Sequence, residues 1–326
     1  MARATELRRV LRWAPLAVAL AATAVLWGVV DRWWPLLPLG YGPRWPWLAL
    51  PLIPLLGGGL LRHRMVFAAV TLLTVLWGLL GFRVGLPGGA PEPGAGLRIV
   101  SFNAAVREDA LRETLAQAVT WSADLVVVVE CPTRAASAVP GYRSASSGRL
   151  CVWSRGSAEP VITNAPRDPA VIGWSGTIAR VSFPSAELEP IGVVHLRSVR
   201  HELEEFLDLS ELLGEADSME ARRSKRIAGS RYASAWMRDA GGNPGLVVGD
   251  FNLVVESPRF RGDWSAWRDT FEEIGVGTGH TWHSRWYGLR IDHVLHDTRW
   301  RPVSIEIGPP VGSDHRALLV ELARRQ

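Results

Sequence analysis

The pattern of apolar and polar positions divides the chain in two. Near the N-terminus, residues 14–30 and 45–61 each run 17 residues without a charge, and residues 65–82 run 18. At about 1.5 Å per residue each reaches roughly 25–27 Å as a helix, close to the ~30 Å hydrocarbon layer of a bilayer. Soluble helices seldom lack charge on every face. The pattern predicts a three-helix transmembrane anchor over 1–82, with helices at about 14–30, 45–61 and 65–82. Trp13, Trp27, Trp33, Trp34, Trp45, Trp47 and Trp77 fall mostly near the run ends, where an interfacial aromatic belt forms. Residues 83–96, rich in Gly and Pro, read as a linker.

From residue 97 short apolar runs alternate with amphipathic stretches. Strands are predicted near 97–102, 124–129, 149–154, 158–163, 176–183, 190–196, 245–249, 291–296, 301–307 and 316–322. Helices are predicted near 108–121, 202–213 and 219–239. The unbroken valines at 126–129 suit a strand covered on both faces. This is an α/β domain occupying 97–326, in which strand ends repeatedly deliver polar residues.

Charge sharpens the division. The 326 residues carry a net +4, but residues 1–96 hold a net +6 and residues 97–326 a net −2. The basic character therefore belongs to the anchor. Arg3, Arg8, Arg9 and Arg12 precede the first run, and Arg62 with Arg64 lie between the second and third. Only Arg32 and Arg44 lie between the first and second. The positive-inside rule then gives a cytoplasmic N-terminus, three crossings of the cell membrane and an extracytoplasmic C-terminal domain. Pro46, Pro51, Pro54 and three glycines make the second run the weak member, and its failure to span would reverse the parity. A cleaved signal peptide is the rival reading of the first run.

Composition excludes several classes. With 48% hydrophobic and 21% charged residues the chain is not disordered. Two cysteines exclude a disulfide-dense scaffold and a Cys-rich zinc site. Cys131 and Cys151 suit a disulfide outside the cytoplasm or buried thiols inside it, and both readings stand.

The candidate chemistry lies in a series of strand-end residues: Ser101-Phe102-Asn103, Val129-Glu130, Val194-His195-Leu196, Gly249-Asp250-Phe251-Asn252, Arg290-Ile291-Asp292-His293 and Gly312-Ser313-Asp314-His315. In this order the series resembles the endonuclease/exonuclease/phosphatase superfamily, the DNase I-like fold, as does Gly279-His280-Thr281-Trp282. The resemblance spans 97–326 and implies a four-layer α/β sandwich. It also implies a phosphoric ester hydrolase that uses Mg²⁺, with Mn²⁺ as the alternative. By resemblance Glu130 is the principal metal ligand, with Asn103 and Asp314 beside it. Asp250 is the base that activates water, Asn252 holds phosphate or nucleophile in line, and His195 and His315 donate to phosphate oxygens. Asp292 fixes His315 and keeps it charged. Arg155, in a Ser-Arg pair after a strand, is a further phosphate-contact candidate. The family's tyrosine and second glutamate, which orient the first histidine, have no evident counterpart, so the partner of His195 is open.

The chemistry itself favours the same set. Phosphate esters repel nucleophiles, so hydrolysis needs a cation, an oriented water and donors for the transition state. Carboxylate and amide oxygens suit Mg²⁺. No HExxH pair occurs among the remaining histidines, which argues against zinc. A nuclease needs several cationic contacts to phosphates, whereas this domain is net negative and its one dense basic stretch is 222–231. That stretch suits a solvated helix face or a face held against anionic headgroups. A domain held near a bilayer suits a phosphorylated lipid or pyrophosphate lipid. The alternatives are an extracytoplasmic nuclease acting on nucleic acid and a catalytically silent membrane-anchored binding protein.

Overall fold

A computed structural model of the chain describes residues 2–56, 60–86, 88–89, 96–132, 138–166, 176–184, 188–200, 203, 216–239 and 244–325. The predicted helix at 202–213 lies outside these apart from residue 203.

Two six-stranded sheets face each other. The first contains β1 (Gly96–Asn103), β2 (Leu125–Val129), β3 (Tyr142–Ser147), β4 (Leu150–Arg155), β10 (Trp300–Ile307) and β11 (Leu318–Arg324), in the order β10-β11-β1-β2-β4-β3. The second contains β5 (Val161–Asn164), β6 (Thr177–Ser182), β7 (Ile191–His195), β8 (Leu246–Asp250) and β9 (Asp292–His296). Its order is β9-β8-β7-β6-β5, with the two-residue strand Arg268–Asp269 at the β9 edge. Ile99, Val127 and Val152 of one inner face pack with Ala179, Val193 and Val248 of the other. The outer face of the first sheet is covered by α3 (Glu108–Thr120), whose Ala110, Leu111, Leu115 and Ala118 repeat at helical spacing. Ala233 and Met237 of α4 (Ala216–Asp239) cover the second. The result is the expected α/β sandwich of four layers.

Each sheet has one parallel pair at its centre, β1 with β2 and β7 with β8. Parallel neighbours end together, so Asn103, Glu130, His195 and Asp250 all emerge at one end of the sandwich. Cys131, next to Glu130, is joined to Cys151 of β4 by a disulfide with Cα atoms 5.9 Å apart.

The expected three-helix anchor does not form as such. One helix, α1 (Ala2–Val29), contains a segment long and apolar enough to cross a membrane, Glu6–Val29. The second run folds instead into a 3₁₀-helix, Trp45–Leu52, and one α-turn, Ile53–Leu56. Pro46, Pro51 and Pro54 explain this, since each lacks an amide donor and its ring crowds the preceding turn. The third run forms α2 (Leu61–Thr74) and then a π-turn, Val75–Leu79.

These segments pack together through Ala19, Leu26, Val30, Val75 and Leu79. Trp13 meets Phe67 edge-on at 4.8 Å and Trp27 stacks on Trp77 at 5.6 Å. Both pairs advance in the same direction, so α1 and α2 run parallel. Arg12 and Arg64 therefore belong to one end of the bundle, and the α/β domain meets the other.

That junction is polar and specific. Arg44 pairs with Glu256 at 2.9 Å, and Arg83 with Glu272 at 2.9 Å. Ser257 donates to Asp31, as does Tyr41. The basic stretch on α4 is neither a solvated face nor a headgroup face throughout: Arg223 donates to the Asp31 carbonyl, and Arg226, buried, lies over the Tyr41 ring. Nor do residues 83–89 hang free as a spacer where they are described. Arg83–Val84 pairs with Val276–Gly277, Gly85 donates to the Gly275 carbonyl, and Gly88 donates to the Val303 carbonyl.

Candidate active site

Strand register assembles the site. On β8, Asp250 lies opposite His195 of β7 on one side and Asp292 of β9 on the other. Gly249 has φ +129°, and a Cβ there would meet the Val194 carbonyl oxygen at 2.0 Å. Only glycine fits, and it lets the strand turn Asp250 into the site. Across the sandwich, Asn103 donates from Nδ2 to Asp250 Oδ2 at 2.9 Å while its Oδ1 accepts from the Ala105 amide. The last loop is tied in by Ser313, whose hydroxyl donates to the Asn103 carbonyl and accepts from the His315 amide.

Backbone strain collects here. Glu130 and Asn252 sit at φ +47° and +49°, a left-handed conformation unusual for residues with side chains. Asn252 is held by two contacts: its amide donates to Asp250 Oδ1, and its Nδ2 donates to the Leu196 carbonyl, both at 2.9 Å.

Two acid–histidine pairs result. His195 Nε2 is 3.2 Å from Glu130 Oε1 and 3.9 Å from Asp250 Oδ2, which gives His195 the carboxylate partners left open by the sequence. The His195 hydrogen bond chiefly holds Glu130 below the usual carboxylate range. Burial opposes charge on His195, but Glu130 and Asp250 outweigh it and raise the imidazole pKa. His315 Nδ1 is 2.8 Å from Asp292 Oδ2. Burial again opposes charge, and Asp292 with Asp250 and Asp314 overcomes it, pushing His315 up to about 10. Asp250 is pushed up to about 6 by burial and then by Asp292, against the pull of both histidines.

Asn103, Glu130, Asp250, Asn252, Asp314 and His315 line one cavity of about 700 Å³. His195 and Asp292 join them through the contacts above. Arg155 does not. β4 runs antiparallel to β2, so its C-terminal end lies beside Leu125, at the opposite edge from Glu130. There Arg155 pairs with Asp124.

Oxygen donors from Glu130, Asn103 and Asp314 fit a hard divalent cation. Asp314 is held by Trp282, whose Nε1 donates to Oδ2 at 3.0 Å. Asp250, Asp292 and His315 also place ligand-capable atoms within 4.8 Å of one another and could hold a metal. His315 bonds Asp292 through Nδ1 at 2.8 Å, which leaves Nε2 facing Asp250 at 3.9 Å.

The cavity also includes residues absent from the sequence expectation: Tyr41, Ser198, Arg200 and His283. Burial, followed by the charges of Arg316 and His315, lowers the His283 pKa. Its place next to Trp282 in the Gly279–Trp282 region was the one available signal. Tyr41 carried none.

Residues 100–315 match the endonuclease/exonuclease/phosphatase family. This chain belongs to that family. Its members are metal-dependent phosphoesterases and nucleases. Among solved structures, a 3′-5′ exonuclease from Neisseria meningitidis is 15% identical, with TM-score 0.50 over 71% of this chain and 100% of its own. A 3′ phosphatase from Neisseria bound to product DNA hairpin gives the same values, 15%, 0.50, 71% and 100%. A family protein from Bacteroides thetaiotaomicron is 16% identical, with TM-score 0.47 over 73% of this chain and 100% of its own. No match among curated proteins reaches significance. At such identities the two Neisseria structures show a shared fold and no more.

Proposed function

We propose that this family member is a membrane-anchored, divalent-metal-dependent phosphoesterase that hydrolyses a phosphate ester or pyrophosphate of a membrane lipid at the extracytoplasmic face. The observation that carries the hydrolase reading is the convergence of Asn103, Glu130, His195, Asp250, Asn252, Asp292 and His315 at one end of both sheets.

In this reading Glu130, Asn103 and Asp314 would hold Mg²⁺ or Mn²⁺, which would withdraw charge from the phosphate. Asp250 accepts a proton from water as the water oxygen bonds to phosphorus. The phosphorus–oxygen bond to the leaving group breaks, and the departing oxygen takes up a proton from solvent water. Asn252 directs its second amide N–H at the phosphate, and His195 and His315 donate to its oxygens. Asp292 keeps His315 charged for that purpose. A base with a pKa near 6 beside an imidazole near 10 gives the required protonation states at neutral pH.

Three observations support the membrane reading. Exposed large hydrophobic side chains crowd the N-terminal segment, from Leu7 to Leu86. Among the described residues beyond it only Val106, Val119, Val161, Val276 and Trp286 are so exposed. Glu6–Val29, near the N-terminus, is long and apolar enough to cross a membrane. The disulfide at Cys131–Cys151 favours an oxidising compartment.

The test is turnover by the full chain in bilayer discs, on lipid phosphates and pyrophosphates and on plasmid DNA, with Mg²⁺ or EDTA. Metal-dependent phosphate release from lipid, lost in Asp250→Ala and His315→Ala, is expected. Cleavage of DNA alone would make it a nuclease. No metal-dependent turnover would make it a silent binding protein.

A further inference from the structure

The cavity has two chemically different halves. Along with polar groups such as Ser198 and Arg200, the cavity is lined by Tyr41, Val199, Leu203, Tyr287, Leu289 and Ile291, which form one apolar cluster. A phosphoryl group occupies a small part of about 700 Å³. At roughly 30 Å³ per water-sized group the space takes on the order of twenty heavy atoms. A hydrolase for a small hydrophilic phosphate ester has no use for such a wall.

One part of that wall belongs to the anchor. The segment following α1 forms a 3₁₀-turn, Trp34–Leu36, and a short helix, Leu37–Tyr41. Its side chains face two ways. Leu37 and Tyr41, four residues apart on one face, pack with Val199, Val254, Leu289 and Ile291 beside the cavity. Leu36 and Leu39 pack instead with Leu26, Val30, Val75 and Leu79 between the anchor helices. Apolar surface is thus continuous from the catalytic cavity to the interior of the anchor. Trp33 and Trp45 flank the segment, each 59% exposed, where interfacial tryptophans belong. The segment is held there by charge on both sides: Arg226 over Tyr41, and Glu256 against Arg44.

We propose that the apolar half of the cavity is the subsite for the hydrocarbon chain of the phosphorylated lipid. The anchor segment 34–41 supports that half through Tyr41, buried among Val199, Leu289 and Ile291, and so helps set specificity as well as location. The proposal rests on the lipid reading above and extends it to how the lipid is selected. The chain segment next to the phosphate packs against Leu203 and Tyr287, while the phosphate faces Glu130 and His315.

The test uses the full chain in bilayer discs with Mg²⁺ and alkyl or prenyl pyrophosphates of increasing chain length. Each methylene buried is worth about 0.8 kcal/mol, roughly fourfold in kcat/KM, so activity climbs steeply with length until the subsite fills. Leu203→Asn and Tyr287→Ala each reduce the long-chain over short-chain ratio about tenfold, chiefly through KM, and Leu203→Met restores it. Leu203 and Tyr287 are only half-buried, which keeps the test independent of Tyr41→Ala, whose side chain supports the junction. A long-chain preference that all these variants leave intact would overturn the subsite while sparing the lipid reading. Absence of turnover on every lipid pyrophosphate, with DNA cleaved, would overturn both.

Discussion

Arg44 and Glu256 form a 2.9 Å ion pair with side chains 11% and 4% exposed, joining the segment after the first apolar helix to a residue six positions beyond Asp250. Arg44 also donates to the Leu79 carbonyl, so one guanidinium ties three parts of the chain together. The junction is therefore part of the folded enzyme, and the Arg44 charge holds Glu256 below its ordinary pKa against the cost of burial.

Removing one partner leaves the other charged and buried, which typically costs about 3–5 kcal/mol. Glu256→Ala should lower the melting temperature of the full chain markedly, whereas the double change Arg44→Met with Glu256→Met should recover most of it. Thermal unfolding in detergent checks this, and equal losses in single and double variants would contradict it.

The two titrating groups predict a bell-shaped profile. Asp250, near 6, must be ionised to take a proton, and His315, near 10, must stay protonated. kcat/KM should rise through about pH 6 and fall through about pH 10. Asp292→Asn removes the charge that holds the imidazole proton and should bring the alkaline limb down toward the ordinary 6.5. Stability follows the same sign. The raised His315 value adds stability that is complete below 6.5 and lost as pH climbs through about 10. An alkaline limb that ignores Asp292→Asn would refute this pairing.

Much of the site was legible because strand ends carry it. Asn103, Glu130, His195 and Asp250 follow apolar runs, and parallel pairing at the centre of each sheet brings them to one edge. Arg155 also follows an apolar run, but strand direction is invisible in the sequence, and antiparallel pairing sends it to the far edge. β3 went unpredicted because Tyr142–Ser147 is an edge strand of mostly small polar residues without an apolar rhythm. Tyr41 was unreadable for another reason. Its role comes from tertiary docking of a Pro-rich segment against Arg226, Leu289 and Ile291.

Arg155→Ala should accordingly change kcat/KM less than twofold. Its partner Asp124 also accepts the Arg98 amide at 2.9 Å, so the substitution should cost on the order of 0–1 kcal/mol, as for an exposed ion pair. A loss of tenfold or more in steady-state kinetics would return Arg155 to the phosphate site.

The disulfide closes a loop of 20 residues directly beside Glu130. Reduction, or Cys131→Ser, should destabilise the domain by about 2–4 kcal/mol. Alkylation of denatured protein isolated without reductant should find no free thiol. Two modified cysteines would contradict both the bond and the oxidising compartment it implies.

The central claim is that the active site serves a lipid in the bilayer to which the chain is anchored. The direct measurement is phosphate release by the full chain in discs containing a polyprenyl pyrophosphate, with plasmid DNA present in the same Mg²⁺ buffer. Phosphate from the lipid with the plasmid left intact is the expected result. Nicked plasmid with the lipid untouched would contradict it.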